Sequence, residues 1–453
     1  MNSHHLIVLA LAVSSLEAAH GADAPALTLD DCLREALSAN HAVLVRGAEA
    51  GAAKARSAGA TAARRPRFSL QGTAQHTTDP LRVAPITANN QAGVFARDTW
   101  QLSAGVSVPL FTAGRLVAEE EAARLLAGAA SGDLAFARQT LAVRVVALYE
   151  DALAVRAVIQ SLDQSRTTLA AQLERIDALL RQQKAAEVDR LRVAVRLARV
   201  EQSAIEARSR REIAQATLAV LMGRDPAASW ELAGELPVPV ASPSIAASAF
   251  EDRADESAAQ ARAAAAAKQE RAARAGWLPS VDAAAAWGPR SDFDGREDYT
   301  SGFVGVTLSW SIWDLGRTAA RVAEARATNR AREEAASETT LQRRLELATA
   351  EAGVRSAAAR IDASRLAVEQ ARESLRIEQR KYDLGQGTIV DVLDAQAAAV
   401  EAESLRARAL ADHAISLAAR DFATGRVFTA TADSPALRAD PAVNATSTAS
   451  TTP

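Results

Sequence analysis

Two hydrophobic periods divide this chain. From Phe68, the run FSLQGTAQ places Phe68, Leu70, Gly72 and Ala74 on one face and Ser69, Gln71, Thr73 and Gln75 on the other. From Trp100, WQLSAGVSVPLF sends Trp100, Leu102, Ala104, Val106, Val108 and Leu110 one way and small polar residues the other. A period of two over ~10 residues predicts strands, and an apolar face opposite a small-polar one suits a membrane barrel. The expected strands are about 67–76 and 99–110, with Asp79 to Asp98 as an exposed loop. A second pair is expected at about 279–287 and 301–313. Val281, Ala283, Ala285 and Trp287 share a face there, as do Val304, Val306, Leu308, Trp310 and Ile312, with Gly288 to Asp298 as the loop.

Elsewhere the period is 3.5. Leu141, Val145, Leu148, Ala152, Val155, Ile159, Leu162, Leu169, Leu173, Ile176 and Leu180 form one stripe, and Leu347, Val354, Ile361, Val368, Leu375 and Tyr382 another. Such heptads predict coiled-coil packing. Helices are expected over about 117–183 and 317–384, each ~100 Å long at 1.5 Å per residue. Return helices follow over about 188–222 and 389–424. A further helix opens the chain from Leu27 to about Ala63, capped by Thr28 and stopped by Pro66. Another runs from Phe250 to Ala275. The segment 223–248 carries four prolines and reads as a linker, and 425–453 as a disordered tail. Residues 1–24 carry the apolar core Leu6 to Val13 followed by small residues, the pattern of a signal peptide.

The chain is internally duplicated, 25–222 against 249–424. Leu110-Phe111-Thr112-Ala113-Gly114-Arg115 matches Ile312-Trp313-Asp314-Leu315-Gly316-Arg317, and Val188-Asp189 matches Val390-Asp391 at the same offset. Each half is helix, two strands, long helix, turn and return helix. The halves differ at the turn. Gln183 stands where the second half has Gly385, and Arg192 aligns with Asp394.

Composition excludes several functions. A net charge of −3 offers no basic surface for nucleic acid. The single cysteine, Cys32, rules out an internal disulfide or a cysteine metal cluster, and the six histidines show no ligand spacing. The sequence contains no nucleophile–base set and no phosphate loop, so neither an enzyme nor a cofactor is expected. Nothing else approaches the ~20 apolar residues of a membrane helix, so any membrane crossing must use strands. Four strands cannot close a barrel, for which about eight are needed.

The turn YDLGQGTIVDVLDAQ, Tyr382 to Gln396, joins the second pair of long helices. Gly385 and Gly387 permit the reversal, Thr388 caps the next helix, and Asp391 completes the capping pattern. Asp391 and Asp394 share a helix face. With the paired junctions PLFTAGR and SIWDLGR and the duplicated order, this run resembles the TolC-type outer-membrane efflux family over roughly Leu27 to Val427.

The resemblance implies a homotrimer in the outer membrane: a twelve-stranded β-barrel, four strands per chain, continuing into a long periplasmic α-helical barrel. It further implies that Asp391 and Asp394 line the pore constriction. The turns bearing Gln183, Asp189, Gly385, Gly387 and Thr388 would meet a periplasmic adaptor that couples the duct to an inner-membrane pump. Trp100, Trp287 and Trp310 are candidates for aromatic anchors against outer-membrane lipid. Two alternatives stay open here. The acids can simply be helix-start electrostatics, and the chain can be a periplasmic coiled-coil adaptor with a soluble β-domain.

Overall fold

The computed structural model describes residues 26–84, 94–237, 253–293 and 298–426. The expected signal peptide and nearly all of the expected tail lie outside them.

The first helical segment is two helices, not one. Thr28 and Asp31 form a reciprocal capping box that opens α1 (Leu29–Ala39). Asn40 then ends α1 and caps α2 (His41–Ala62), its side-chain oxygen accepting from the amides of Ala42 and Val43. Its Nδ2 donates to the carbonyl of Leu221 at 2.9 Å, fixing the break to a distant helix end. A preferred cap residue inside a continuous apolar pattern was the signal for this corner.

The strands are longer than the alternation predicted: β2 (Arg67–Ala84), β3 (Val94–Phe111), β5 (Ser280–Asp292) and β6 (Asp298–Ser309). The stretches expected as loops contribute to them, while 85–93 and 294–297 lie outside the described residues. Alternation reports where one face is apolar; backbone pairing continues beyond it with polar residues on both faces. His76 and Asp98 meet there at 2.6 Å, and Arg290 reaches Gln101 at 2.7 Å.

The sheet is antiparallel in the order β2-β3-β5-β6. Its register joins four separate alternations into one apolar face. Phe68 lies opposite Val106, Val106 opposite Ala285, and Ala285 opposite Val304. One row along, Leu70, Ala104, Trp287 and Gly302 align in the same way. That face is bare: Phe68 is 81% exposed and Val304 89%. Among the described residues the outer edges of β2 and β6 have no partner strand.

Each sheet-to-helix corner uses two successive left-handed residues, Ala113 and Gly114 in the first half and Leu315 and Gly316 in the second. The long helices α3 (Arg115–Arg181) and α6 (Arg317–Asp383) have 67 residues each. The return helices are α4 (Glu187–Leu221) and α7 (Ile389–Thr424). α3 packs on both α4 and α7, and α6 packs on α7. The expected α3 stripe is the packed one, with Val145, Ala152, Leu169 and Ile176 fully covered.

The expected linker is partly structured. Glu231–Leu232 forms β4, which pairs in parallel with β1 (Ala26–Leu27). Trp230 is buried beside it in the core with Leu33, Val145, Leu218 and Met222. The Tyr149 hydroxyl lies between the carbonyls of Leu27 and Ala233, and Arg224 grips Glu35. The remaining part, 238–252, lies outside the described residues. α5 (Ala254–Arg274) follows, ending in a short 3-10 turn at Ala275–Trp277.

The middle of α3 carries one buried acid. Glu150 is covered, its Oε2 has no hydrogen-bond partner among the described residues, and burial pushes its pKa from 4.5 up to about 7. The folded state therefore holds this proton more tightly than the unfolded chain. Stability from this site is full below pH ~4.5 and falls as pH rises toward 7, by roughly 3 kcal/mol. The variant Glu150→Gln is expected to flatten that dependence in thermal melts taken between pH 5 and 8.

Candidate functional site: the helix-turn tips

Both helix-turn tips close by the same backbone device. At the second, Gly385 is left-handed (φ 74), its amide donates to the Tyr382 carbonyl at 3.0 Å, and the Gln386 amide donates to the Lys381 carbonyl at 2.9 Å. This is a Schellman closure. At the first, Gln183 takes the same conformation (φ 59), with matching bonds from Gln183 to Leu180 and from Lys184 to Leu179. The missing glycine thus leaves the shape unchanged and costs about 1 kcal/mol of strain. Gly387 acts differently from Gly385. It has no positive φ; instead a Cβ there would meet Lys381 Cβ at 3.1 Å and the Tyr382 amide nitrogen at 3.2 Å.

The two acids have different surroundings. Asp391 turns back on the cap: its Oδ2 accepts from the Thr388 hydroxyl at 2.7 Å and from the Thr388 amide at 3.1 Å. Those bonds, the side-chain one first, hold its carboxyl below the usual range. Asp394 is exposed on the next turn and has no hydrogen-bond or ionic partner among the described residues. It lines a groove of about 450 Å³ between α4 and α7, together with Val188, Leu191, Arg192 and Leu393. Asp189 is half-buried and takes a long contact of 3.4 Å from Arg192.

The tip also contains contacts that sequence reading did not find. Arg175 on α3 bonds Asp383 on α6 at 2.6 Å, tying one hairpin to the other. Burial, and then the charge of Asp189, push the Tyr382 phenol pKa up. Higher up, Gln396 is buried and donates to Ser165 Oγ at 3.1 Å. Gln396 was visible as a polar residue in an apolar stripe, whereas the Arg175–Asp383 pair carried no local signal.

The tryptophans lie at three levels. Trp100 is half-buried opposite Ser291, toward the far end of the sheet. Trp287 stands on the bare apolar face, 66% exposed. Trp310 falls just beyond β6, which ends at Ser309 rather than near 313. Its ring nitrogen donates to the Trp277 carbonyl at 3.1 Å, and it is 53% exposed at the sheet–helix junction. Among the described residues no helix is long and apolar enough to cross a membrane, and no group of side chains is placed to hold a metal ion.

The family model described as outer membrane efflux protein matches residues 32–224 and 246–426, one segment per repeat. The chain belongs to this family.

Solved structures share its fold. The outer membrane protein VceC from Vibrio cholerae is 21% identical, with 88% of this chain and 96% of that one covered and a TM-score of 0.76. The Campylobacter jejuni CmeC outer membrane channel is 16% identical, with coverage of 88% and 85% and a TM-score of 0.79. The open state of the Neisseria gonorrhoeae MtrE outer membrane channel is 20% identical, with 88% of each chain covered and a TM-score of 0.71. A comparison with curated proteins gives no match. The protein is an outer-membrane efflux channel, which removes the soluble adaptor reading.

Proposed function

We propose that three copies of this chain close into one passive exit duct, fed by an inner-membrane pump through a periplasmic adaptor docked at the helix-turn tips. The bare apolar face and two open edges of the sheet carry this reading. Such edges are a template for further pairing, and β6 of one copy against β2 of the next gives a closed barrel of twelve strands. The helices have the same need. α4 exposes Leu191, Val195, Ile205 and Ile213, and α6 exposes Leu341, Leu345, Leu366 and Ile377. These flanks suit neighbours in a tube rather than water. The duct performs no chemistry and takes no cofactor. Outer-membrane fractions run unheated on denaturing gels are expected to show a species of three times the monomer mass that collapses on boiling. A monomer under both conditions overturns the assembly.

The pore narrows at the tips, where Asp394 faces the axis and Asp391 holds the helix start beneath it. Gln183, Asp189, Gly385, Gly387 and Thr388 form the adaptor contact, since exposed turns on a rigid hairpin are ready contact sites. Trp287 and Trp310 anchor the barrel in lipid, with Trp100 toward the outer rim. Six carboxylates from three copies attract cations. The double variant Asp391→Ala with Asp394→Ala is expected to weaken block by divalent cations in planar-bilayer recordings. Unchanged block removes the constriction from this site.

A further inference from the structure

The groove that holds Asp394 is basic on its other wall. Arg192, Arg196 and Arg199 of α4 line it opposite Asp394 and Leu393 of α7. A second groove of about 430 Å³ continues it, again lined by Arg196 and Arg199, now with Glu206 and Arg210 of α4 and Glu401 of α7. Arg192, Arg199, Asp394 and Glu401 are all exposed. Arg199 has no hydrogen-bond or ionic partner among the described residues, Arg192 has only the long contact to Asp189, and Arg196 reaches the Leu393 carbonyl at 3.5 Å.

The duplication explains why these charges share a groove. Residues 192 and 394 are equivalent positions of the two repeats, and so are 199 and 401, one heptad further on. Equivalent positions in two hairpins of one tube face the same way. At both levels the first repeat supplies an arginine and the second a carboxylate. Three copies would therefore ring the pore with alternating signs, twice over.

We propose that Arg192 and Arg199 are specificity-determining residues of the duct, making its constriction mixed in charge rather than purely acidic. This rests on the reading that Asp394 faces the pore. A purely acidic ring concentrates cations and repels anions, since a charged cleft raises the local concentration of its counter-ions. Interleaved guanidinium groups offset that field within the Debye length of ~8 Å, beyond which salt already screens it. At contact distance they also give a passing carboxylate or phosphate a fixed planar donor. The duct then passes solutes bearing anionic groups as well as cations.

The test is the reversal potential of the purified channel in planar bilayers under a potassium chloride gradient. Arg192→Gln is expected to raise the potassium-to-chloride permeability ratio at least about twofold, and Arg192→Gln with Arg199→Gln further. Asp394→Asn is expected to shift the ratio toward chloride. Both arginines are exposed, so these variants leave the fold intact, and trimer yield on unheated gels checks this. If Asp394→Asn shifts the ratio and the arginine variants do not, the arginines lie outside the conducting path and this inference fails alone. If none of the variants shifts it, the pore does not narrow at Asp394 and the constriction reading fails with it.

Discussion

Replacing Gly288 with alanine is expected to stop the sheet from assembling. Gly288 lies within β5, an interior strand flanked by β3 and β6. A Cβ there would overlap the Leu102 carbonyl oxygen and stand 2.7 Å from Ser103 Cα. Both are backbone atoms of the paired strand, so no side-chain rotation relieves the clash, and β3 and β5 must separate locally. The ladder is already thin at this point. Pro289 is the next residue and has no amide to donate, and paired positions resume only at Ala104–Trp287 on one side and Gln101–Arg290 on the other. A strand that loses this stretch cannot hold its neighbours in a closed barrel. The variant should accumulate as unassembled chain, read as loss of the heat-modifiable band from outer-membrane fractions. Gly305 is the control: it lies in β6, and a Cβ there meets nothing within 4 Å, so Gly305→Ala should assemble normally.

The second large effect is expected at Arg253. Its side chain is 1% exposed, the most deeply buried cation among the described residues. Its Nε and Nη2 donate to the two carboxylate oxygens of Asp255 at 2.7 and 2.8 Å, and Nη1 donates to Glu346 on α6. The guanidinium stacks 5.0 Å from the ring centre of Phe422 on α7 and 5.5 Å from that of Phe136 on α3. One side chain thus joins the start of α5 to three other helices from both halves of the chain. Beside it, Arg343 of α6 bonds Glu256 and the Ala423 carbonyl, closing the same junction. Removing one member of a buried ion pair costs about 3–5 kcal/mol, because the charges left behind lose their partner. Arg253→Ala should lower the melting temperature by several degrees and open the α5 start to limited proteolysis. Arg253→Lys keeps the charge but cannot make the two-point bond to Asp255 or stack on both rings. It should fall between wild type and alanine. A lysine variant as unstable as alanine shows that geometry, not charge, sets the junction.

Much of the fold could be read directly from residue order. The period of two located the four strands, and the period of 3.5 located both 67-residue helices within two residues of their ends. Thr28 and Thr388 were legible as caps because a capping box closes within four residues of chain. At the site, the turn and Asp391's tie to Thr388 were legible for the same reason. The corner at Asn40 carried a local cap signal, but its anchor on the Leu221 carbonyl and the β1–β4 pair carried none, because each depends on a partner roughly 180 to 200 residues away.

The sequence by itself determined the apolar face of each long strand, the packed stripe of α3, the duplicated order, and membership in a family of efflux ducts. Periodicity carries that information because it depends only on neighbours along the chain. Only the tertiary structure decided which elements meet. It set the strand order β2-β3-β5-β6, brought four alternations onto one face, and placed α3 between α4 and α7. It also set Arg192 in the groove of Asp394 and Arg253 between Phe136 and Phe422. An apolar stripe says that a face must be covered and is silent on what covers it. A charge says nothing of its partner until the backbone brings two distant segments within a few ångströms.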